Sequence, residues 1–83
     1  MDKLRVLFFA SARHAAQCTE ATVACEADGI DAAVFWERIL SAFPSLRPLR
    51  ESVRLAKNCD YLEAGERFLP GDEAALIPPV SGG

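Results

Sequence analysis

The sequence lacks the long apolar segments of membrane and secreted proteins. No stretch approaches the roughly 18 consecutive apolar residues of a transmembrane helix. The apolar run at residues 4–12 is broken by Arg5, so no secretory signal is recognisable. We therefore expect a cytoplasmic (cytosolic) protein with no membrane partner. A chain of 83 residues fits one domain, and its 51% hydrophobic and 25% charged residues are typical of a soluble globular fold.

Positive charge is scarce as well. The net charge is −3, and the nine Lys and Arg residues are scattered. Phosphate backbones are bound by clustered basic residues, so we expect no nucleic-acid partner. Arg47, Arg50 and Arg54 are the one group close in sequence, and we interpret them as a solvated surface around a turn.

Side chains typical of catalytic or metal sites are few. The three cysteines form no CxxC pair, and His14 is the only histidine. Neither a Cys–His nucleophile nor a zinc site fits these spacings, so we predict free thiols and no metal. Cys25 is expected to be buried, and Cys18 and Cys59 to be more exposed. No glycine-rich phosphate loop or GxSxG elbow is present, so we do not expect the chain to catalyse a reaction alone.

Hydrophobic periodicity predicts five strands and one main helix. The predicted strands are residues 3–9, 19–26, 53–57, 61–62 and 74–77. The main helix covers residues 32–43, with Asp31 as its cap and Pro44 as its end. A short helix is predicted at residues 11–17, capped by Ser11, and a loop at residues 45–51.

These elements predict a β-grasp (ubiquitin-like) fold of the α+β class. The first two strands are joined too closely for a crossover, so they pair antiparallel. The helix packs on one face of a mixed sheet of four to five strands. Its predicted apolar face consists of Phe35, Trp36, Ile39, Leu40 and Phe43. The last strand returns parallel to the first, which gives a domain at residues 1–77 and a tail at residues 78–83.

The C-terminal segment 74–83 contains no ionisable side chain. Pro78 and Pro79 favour an extended backbone, while Gly82 and Gly83 carry no side chain. The tail residues Pro78, Pro79, Val80, Ser81 and Gly82 are therefore predicted to thread a narrow channel. The carboxylate of Gly83 is then the one reactive group. The alternative is a frayed terminus without function.

Three segments resemble the small subunits of molybdopterin synthase. Residues 69–83 (LPGDEAALIPPVSGG) are similar to the C-terminal signature of that family, and residues 5–13 (RVLFFASAR) to its opening strand. Residues 56–61 (AKNCDY) resemble its central motif around Asn58 and Tyr61. The helix is matched by pattern alone. Lys57 and Cys59 depart from the family pattern, but neither lies in the tail.

The resemblance implies a sulfur carrier for molybdenum cofactor biosynthesis. An E1-like activating enzyme would use MgATP to adenylate Gly83, and a sulfur donor would convert it to a thiocarboxylate. The tail would then enter the large subunit of molybdopterin synthase, in a heterotetramer of two small and two large subunits. There it would pass sulfur to cyclic pyranopterin monophosphate. The isolated chain would bind no cofactor, and Phe9, Tyr61 and Ile77 match the family's docking patch.

Other interpretations of the same features stay open. A related sulfur carrier could serve thiamine synthesis or tRNA thiolation. A ubiquitin-like protein modifier would conjugate Gly83 to lysines of target proteins. An interaction module with an inert tail would need no sulfur chemistry. For Phe9 and Ile77, core packing is the alternative to docking.

Overall fold

A mixed sheet carries the main helix on one of its faces. The computed structural model describes residues 2–79. The strands are β1 (Lys3–Phe8), β2 (Glu20–Ala24), β3 (Arg54–Lys57), β4 (Asp60–Tyr61) and β5 (Glu73–Ile77). The helices are α1 (Ala10–Ala16), α2 (Ala32–Ala42) and a 3₁₀ helix at Pro44–Leu49. No helix within residues 2–79 is long and apolar enough to cross a membrane.

The five strands are ordered β2-β1-β5-β3-β4. The central pair, β1 and β5, is parallel, with Val6 opposite Ala74 and Phe8 opposite Leu76. The pairs β1–β2, β3–β5 and β3–β4 are antiparallel. This arrangement confirms the predicted α+β β-grasp fold, including the return of the last strand beside the first.

The core lies between the sheet and α2. Alternate residues of β1 and β5 point into it, and Leu4, Val6 and Leu76 are fully buried. From α2, Phe35 and Ile39 are fully buried as well. The predicted apolar face of this helix is therefore confirmed, because a sheet with one covered face needs one apolar helix stripe.

Both ends of α2 are fixed by the interactions that the sequence predicts. The Asp31 carboxylate accepts a hydrogen bond from the Val34 N–H at 2.9 Å, as an N-cap does. At the other end the helix gives way to the 3₁₀ helix that begins at Pro44. On the exposed side, Arg38 donates two hydrogen bonds to Glu26 at 2.8 and 3.0 Å, which ties α2 to the end of β2.

Two local predictions were wrong. Helix α1 begins at Ala10 rather than behind a Ser11 cap, because the extended Phe9 offers its carbonyl to the helical N–H groups. Residues 44–49 form a 3₁₀ helix instead of a loop, and this turn carries Leu46 into the core. Arg47, Arg50 and Arg54 are exposed, as predicted for a solvated surface. The guanidinium of Arg50 lies over the Trp36 ring, and that of Arg54 lies over the Tyr61 ring.

A polar cluster of Lys57, Asn58 and Asp72 joins the β3–β4 turn to the start of β5. The Asp72 carboxylate accepts hydrogen bonds from the Leu69 N–H at 2.8 Å and the Asn58 amide at 3.0 Å. Asn58 in turn accepts one from the Glu73 N–H at 2.9 Å. Partial burial by itself raises the pKa of Asp72, but these hydrogen bonds and the Lys57 ammonium outweigh burial and lower that pKa.

We predict that Asp72 makes the fold sensitive to acid. Its lowered pKa means that the folded chain binds fewer protons there than the unfolded chain does. The stabilisation is therefore complete above about pH 3.9, the usual pKa of an unfolded Asp, and is lost as pH falls through the folded pKa. Asp72→Asn should lower the free energy of unfolding at pH 7 by about 1–3 kcal/mol, the loss typical of bonds to a charged group.

Urea unfolding of both proteins at pH 7 and between about pH 2 and 4 checks this prediction. The exposed Asp60, which makes no side-chain hydrogen bond within residues 2–79, supplies the control variant Asp60→Asn. An Asp72→Asn protein that loses stability in acid as steeply as the wild type would contradict the assignment.

Candidate functional site

The outer face of the sheet, opposite α2, is the candidate docking surface. Arg54 lies opposite Ile77 in the β3–β5 register, and Ala56 lies opposite both Ala75 and Tyr61. Tyr61 is 50% exposed, whereas Ile77 is half-buried. Near the end of β5, where the chain leaves the sheet, the outer face therefore combines apolar side chains with the exposed Arg54.

Phe9 lies at the same end of the sheet. It directly follows β1, whose last residue, Phe8, pairs with Leu76 just before Ile77. Its side chain is 46% exposed, so Phe9 is not a core residue. Ile77 is likewise absent from the buried core cluster and from the half-buried residues packed against it. We call Phe9, Tyr61 and Ile77 the outer patch; that it docks a partner stays a prediction.

Ala56 shows how closely the outer face packs. It is 3% exposed, yet it does not belong to the core cluster beneath α2. Its small side chain lies between those of its strand neighbours, and Arg54 and Tyr61 are diagonal partners across the β3–β4 hairpin. The Arg54 guanidinium carbon lies 3.7 Å from the centre of the Tyr61 ring, a cation–π contact.

Sequence reasoning missed Arg54 and the exposed apolar side chain of Leu69. The contact of Arg54 could have been predicted by assuming a tight hairpin with Asn58 and Cys59 at its turn. Such a hairpin places Arg54 diagonally opposite Tyr61 on one face of the sheet. Leu69 precedes the Pro-Gly turn, and no periodic pattern marks it.

Charged residues occupy the opposite end of the outer face. Arg5 donates to Glu20 at 2.9 Å and lies 3.4 Å from Glu73. The hydrogen bond and the negative charge of Glu20, together with the charge of Glu73, raise the pKa of Arg5. One arginine thus faces two glutamates, so the start of β5 is polar and carries a small net negative charge.

The tail begins where β5 ends. Pro78 is buried and Pro79 is exposed. Val80, Ser81, Gly82 and Gly83 lie outside the described residues, and their predicted roles stay predictions.

The cysteines stand apart from this surface chemistry. Cys25 is fully buried, as predicted, and desolvation raises the pKa of its thiol. Cys18 is half-buried, and Cys59 is exposed in the β3–β4 turn. Among residues 2–79, no group of three or more His, Cys, Asp or Glu side chains is arranged to hold a metal ion.

Comparison with known proteins identifies the family. The profile of the ThiS family matches residues 6–83, almost the whole chain. The chain belongs to the ThiS family. Its curated relatives include the human molybdopterin synthase sulfur carrier subunit, 33% identical over 84 residues, which cover 98% of this chain and 94% of the relative. The Drosophila yakuba protein of the same name is 40% identical over 83 residues, with 96% and 90% covered.

Solved structures show the same fold. The crystal structure of the small archaeal modifier protein SAMP1 from Haloferax volcanii has a TM-score of 0.83 at 24% identity, covering 98% of this chain and 99% of that chain. Subunits 1 and 2 of the molybdopterin-converting factor from Helicobacter pylori form a complex. A chain of that structure matches with a TM-score of 0.67 at 21% identity, covering 98% and 99%.

Two neighbouring phenylalanines test the assignment of the outer patch in this ThiS-family chain. Phe8 is 2% exposed and Phe9 is 46% exposed, so they are a matched pair. Phe8→Ala should lower the free energy of unfolding by about 3–5 kcal/mol because it leaves a cavity. Phe9→Ala should change it by less than about 1 kcal/mol. Urea unfolding measures both, and a loss at Phe9 as large as that at Phe8 would make Phe9 a core residue.

Proposed function

We propose that the chain is a sulfur carrier of molybdenum cofactor biosynthesis and acts as the small subunit of molybdopterin synthase. One observation carries the proposal. Relatives named molybdopterin synthase sulfur carrier subunit are 33% and 40% identical over nearly the whole chain. The family match also continues through the Gly-Gly terminus.

The proposed chemistry takes place at the carboxylate of Gly83. An E1-like enzyme transfers AMP from MgATP to this carboxylate and releases pyrophosphate. A sulfur donor then displaces AMP, which leaves a thiocarboxylate. In the large subunit the thiocarboxylate sulfur is transferred to cyclic pyranopterin monophosphate, and the carboxylate is regenerated by water. Catalytic side chains belong to the partners in this scheme, and the carrier supplies an accessible acyl group.

The described geometry supports such a role. Strand β5 lies between β1 and β3 and is paired on both sides up to Leu76, and the pairing with β3 continues to Ile77. The tail therefore starts from a fixed point. The outer patch lies at the same end of the sheet, and exposed apolar clusters of this kind favour a protein interface. One surface would thus dock each partner in turn while the tail enters its active site.

A ubiquitin-like protein modifier is the second candidate. The likeness to SAMP1, whose name describes a modifier, shows the fold alone. Isopeptide-linked conjugates of Gly83 in cells would favour this function. A carrier for thiamine synthesis or tRNA thiolation would instead deliver its sulfur to a different acceptor protein.

Mass spectrometry of the tryptic peptide 68–83 tests the carrier chemistry. This peptide contains no Cys or Met, so oxidation of sulfur side chains cannot imitate the exchange of oxygen for sulfur. After incubation with the activating enzyme, MgATP and a sulfur source, we expect sulfur on Gly83. A plain carboxylate, with an enzyme proven active on another carrier, would contradict the proposal.

Variants of the tail provide the controls. Removing Gly83, or adding one residue after it, should abolish cofactor synthesis. Gly82→Val should also block cofactor synthesis, because a branched side chain makes the tail too wide for a narrow channel. Ala27→Val adds similar bulk at an exposed turn and should leave cofactor synthesis unchanged. Circular dichroism should change little in any of them. Normal cofactor synthesis by Gly82→Val would show that the tail does not thread a narrow channel.

A further inference from the structure

Arg54 has an unusual setting for a surface arginine. It is exposed and lies opposite Ile77, the last residue of β5, and its guanidinium lies over the Tyr61 ring. Contact with an aromatic face restricts the side chain without using its N–H donors, which remain available to a planar acceptor. The cation is therefore preorganised beside the point where the tail leaves the sheet.

Arg54 forms no salt bridge within residues 2–79. Two other arginines do: Arg5 pairs with Glu20 and Glu73, and Arg38 pairs with Glu26. Arg54 thus places a guanidinium without a direct carboxylate partner at the end of the outer face that carries the outer patch.

The acidic residues near Arg54 lie on its other side. Asp60, Glu63 and Glu66 line the groove that Arg54 and Tyr61 share with the segment after β4. The Glu66 carboxylate accepts a hydrogen bond from the Glu63 N–H and lies 3.9 Å from the Lys57 ammonium, so its contacts are with its own loop and with Lys57. An external carboxylate would be repelled from this groove, and its favourable approach to Arg54 is from the side of Ile77 and the tail.

We propose that Arg54 is a specificity-determining contact, which pairs with a carboxylate on the large subunit of the synthase beside the opening that takes the tail. The inference rests on the proposed function. A subunit that covers the end of the outer face removes water from the guanidinium, and an uncompensated buried cation is costly. A facing carboxylate accepts two parallel hydrogen bonds from Arg54 and offsets that cost. An acceptor protein without this carboxylate would leave the desolvated guanidinium unpaired and would therefore bind more weakly.

Calorimetric titration of the large subunit with the carrier tests this pairing. Arg54→Gln should raise the Kd at least about tenfold, as expected when one partner of an interfacial charge pair is removed. Arg47→Gln changes the net charge equally at an exposed position in the 3₁₀ helix, so its Kd should stay within about twofold of the wild type. Arg54→Lys keeps the charge but lacks the planar guanidinium, so its Kd should lie between those of the wild type and Arg54→Gln.

A second readout separates direct pairing from a structural effect. Exposed Asp and Glu residues of the large subunit are replaced one at a time by Asn and Gln. One replacement should weaken binding of the wild-type carrier about as much as Arg54→Gln does, and should add little when Arg54→Gln is the carrier. Matching circular dichroism spectra establish that the variants are folded, and Arg54→Lys replaces Arg54→Gln should the latter not fold.

The outcomes distinguish this inference from the function on which it rests. If the wild-type carrier does not bind the large subunit, the proposed function fails and the pairing fails with it. If the wild type binds but Arg54→Gln binds as tightly as Arg47→Gln, the pairing is wrong and the sulfur-carrier function stands. If Arg54→Gln weakens binding tenfold but no Asp or Glu replacement on the large subunit is coupled to it, the pairing is also wrong.

Discussion

The parallel pairing of β1 with β5 is the interaction on which the rest of the structure depends. It joins the first and last strands of the chain at the centre of the sheet. Ala74 and Leu76 are thereby fully buried, and β5 is not an edge strand. Because β5 has paired neighbours on both sides up to Leu76, its end belongs to a strongly held part of the fold. A tail that begins there has a defined starting point.

The two ends of β5 serve different purposes. At its start, the cluster around Asp72 and the ion pairs of Arg5 fix the strand by polar contacts that are satisfied within the protein. At its end the outer face carries the outer patch and Arg54, none of which the core requires. Satisfied polar groups stabilise the domain, whereas exposed apolar groups and a cation without a salt-bridge partner favour a partner protein. This division fits a carrier that leaves bond-making to other proteins.

Local signals were sufficient to predict much of the fold. The cap at Asp31 and the helix end near Pro44 depend on neighbours within four residues, and the buried thiol of Cys25 follows from strand alternation. The start of α1 depends on the extended backbone of Phe9, and the 3₁₀ helix carries Leu46 into the core; hydrophobic periodicity records neither. The same holds for Arg54, whose contact with Tyr61 exists only after the hairpin has formed. The tail was predicted from its composition and from the family resemblance.

A single-turnover transfer experiment tests the central claim most directly. The chain is prepared with a thiocarboxylate at Gly83, mixed with the synthase large subunit and cyclic pyranopterin monophosphate, and the pterin product is analysed for sulfur. The proposed function predicts that the pterin gains sulfur while the carrier returns to a plain carboxylate. A thiocarboxylate that persists in the presence of an active large subunit, and is consumed instead by a thiazole-forming or tRNA-thiolating acceptor, would contradict the molybdenum assignment.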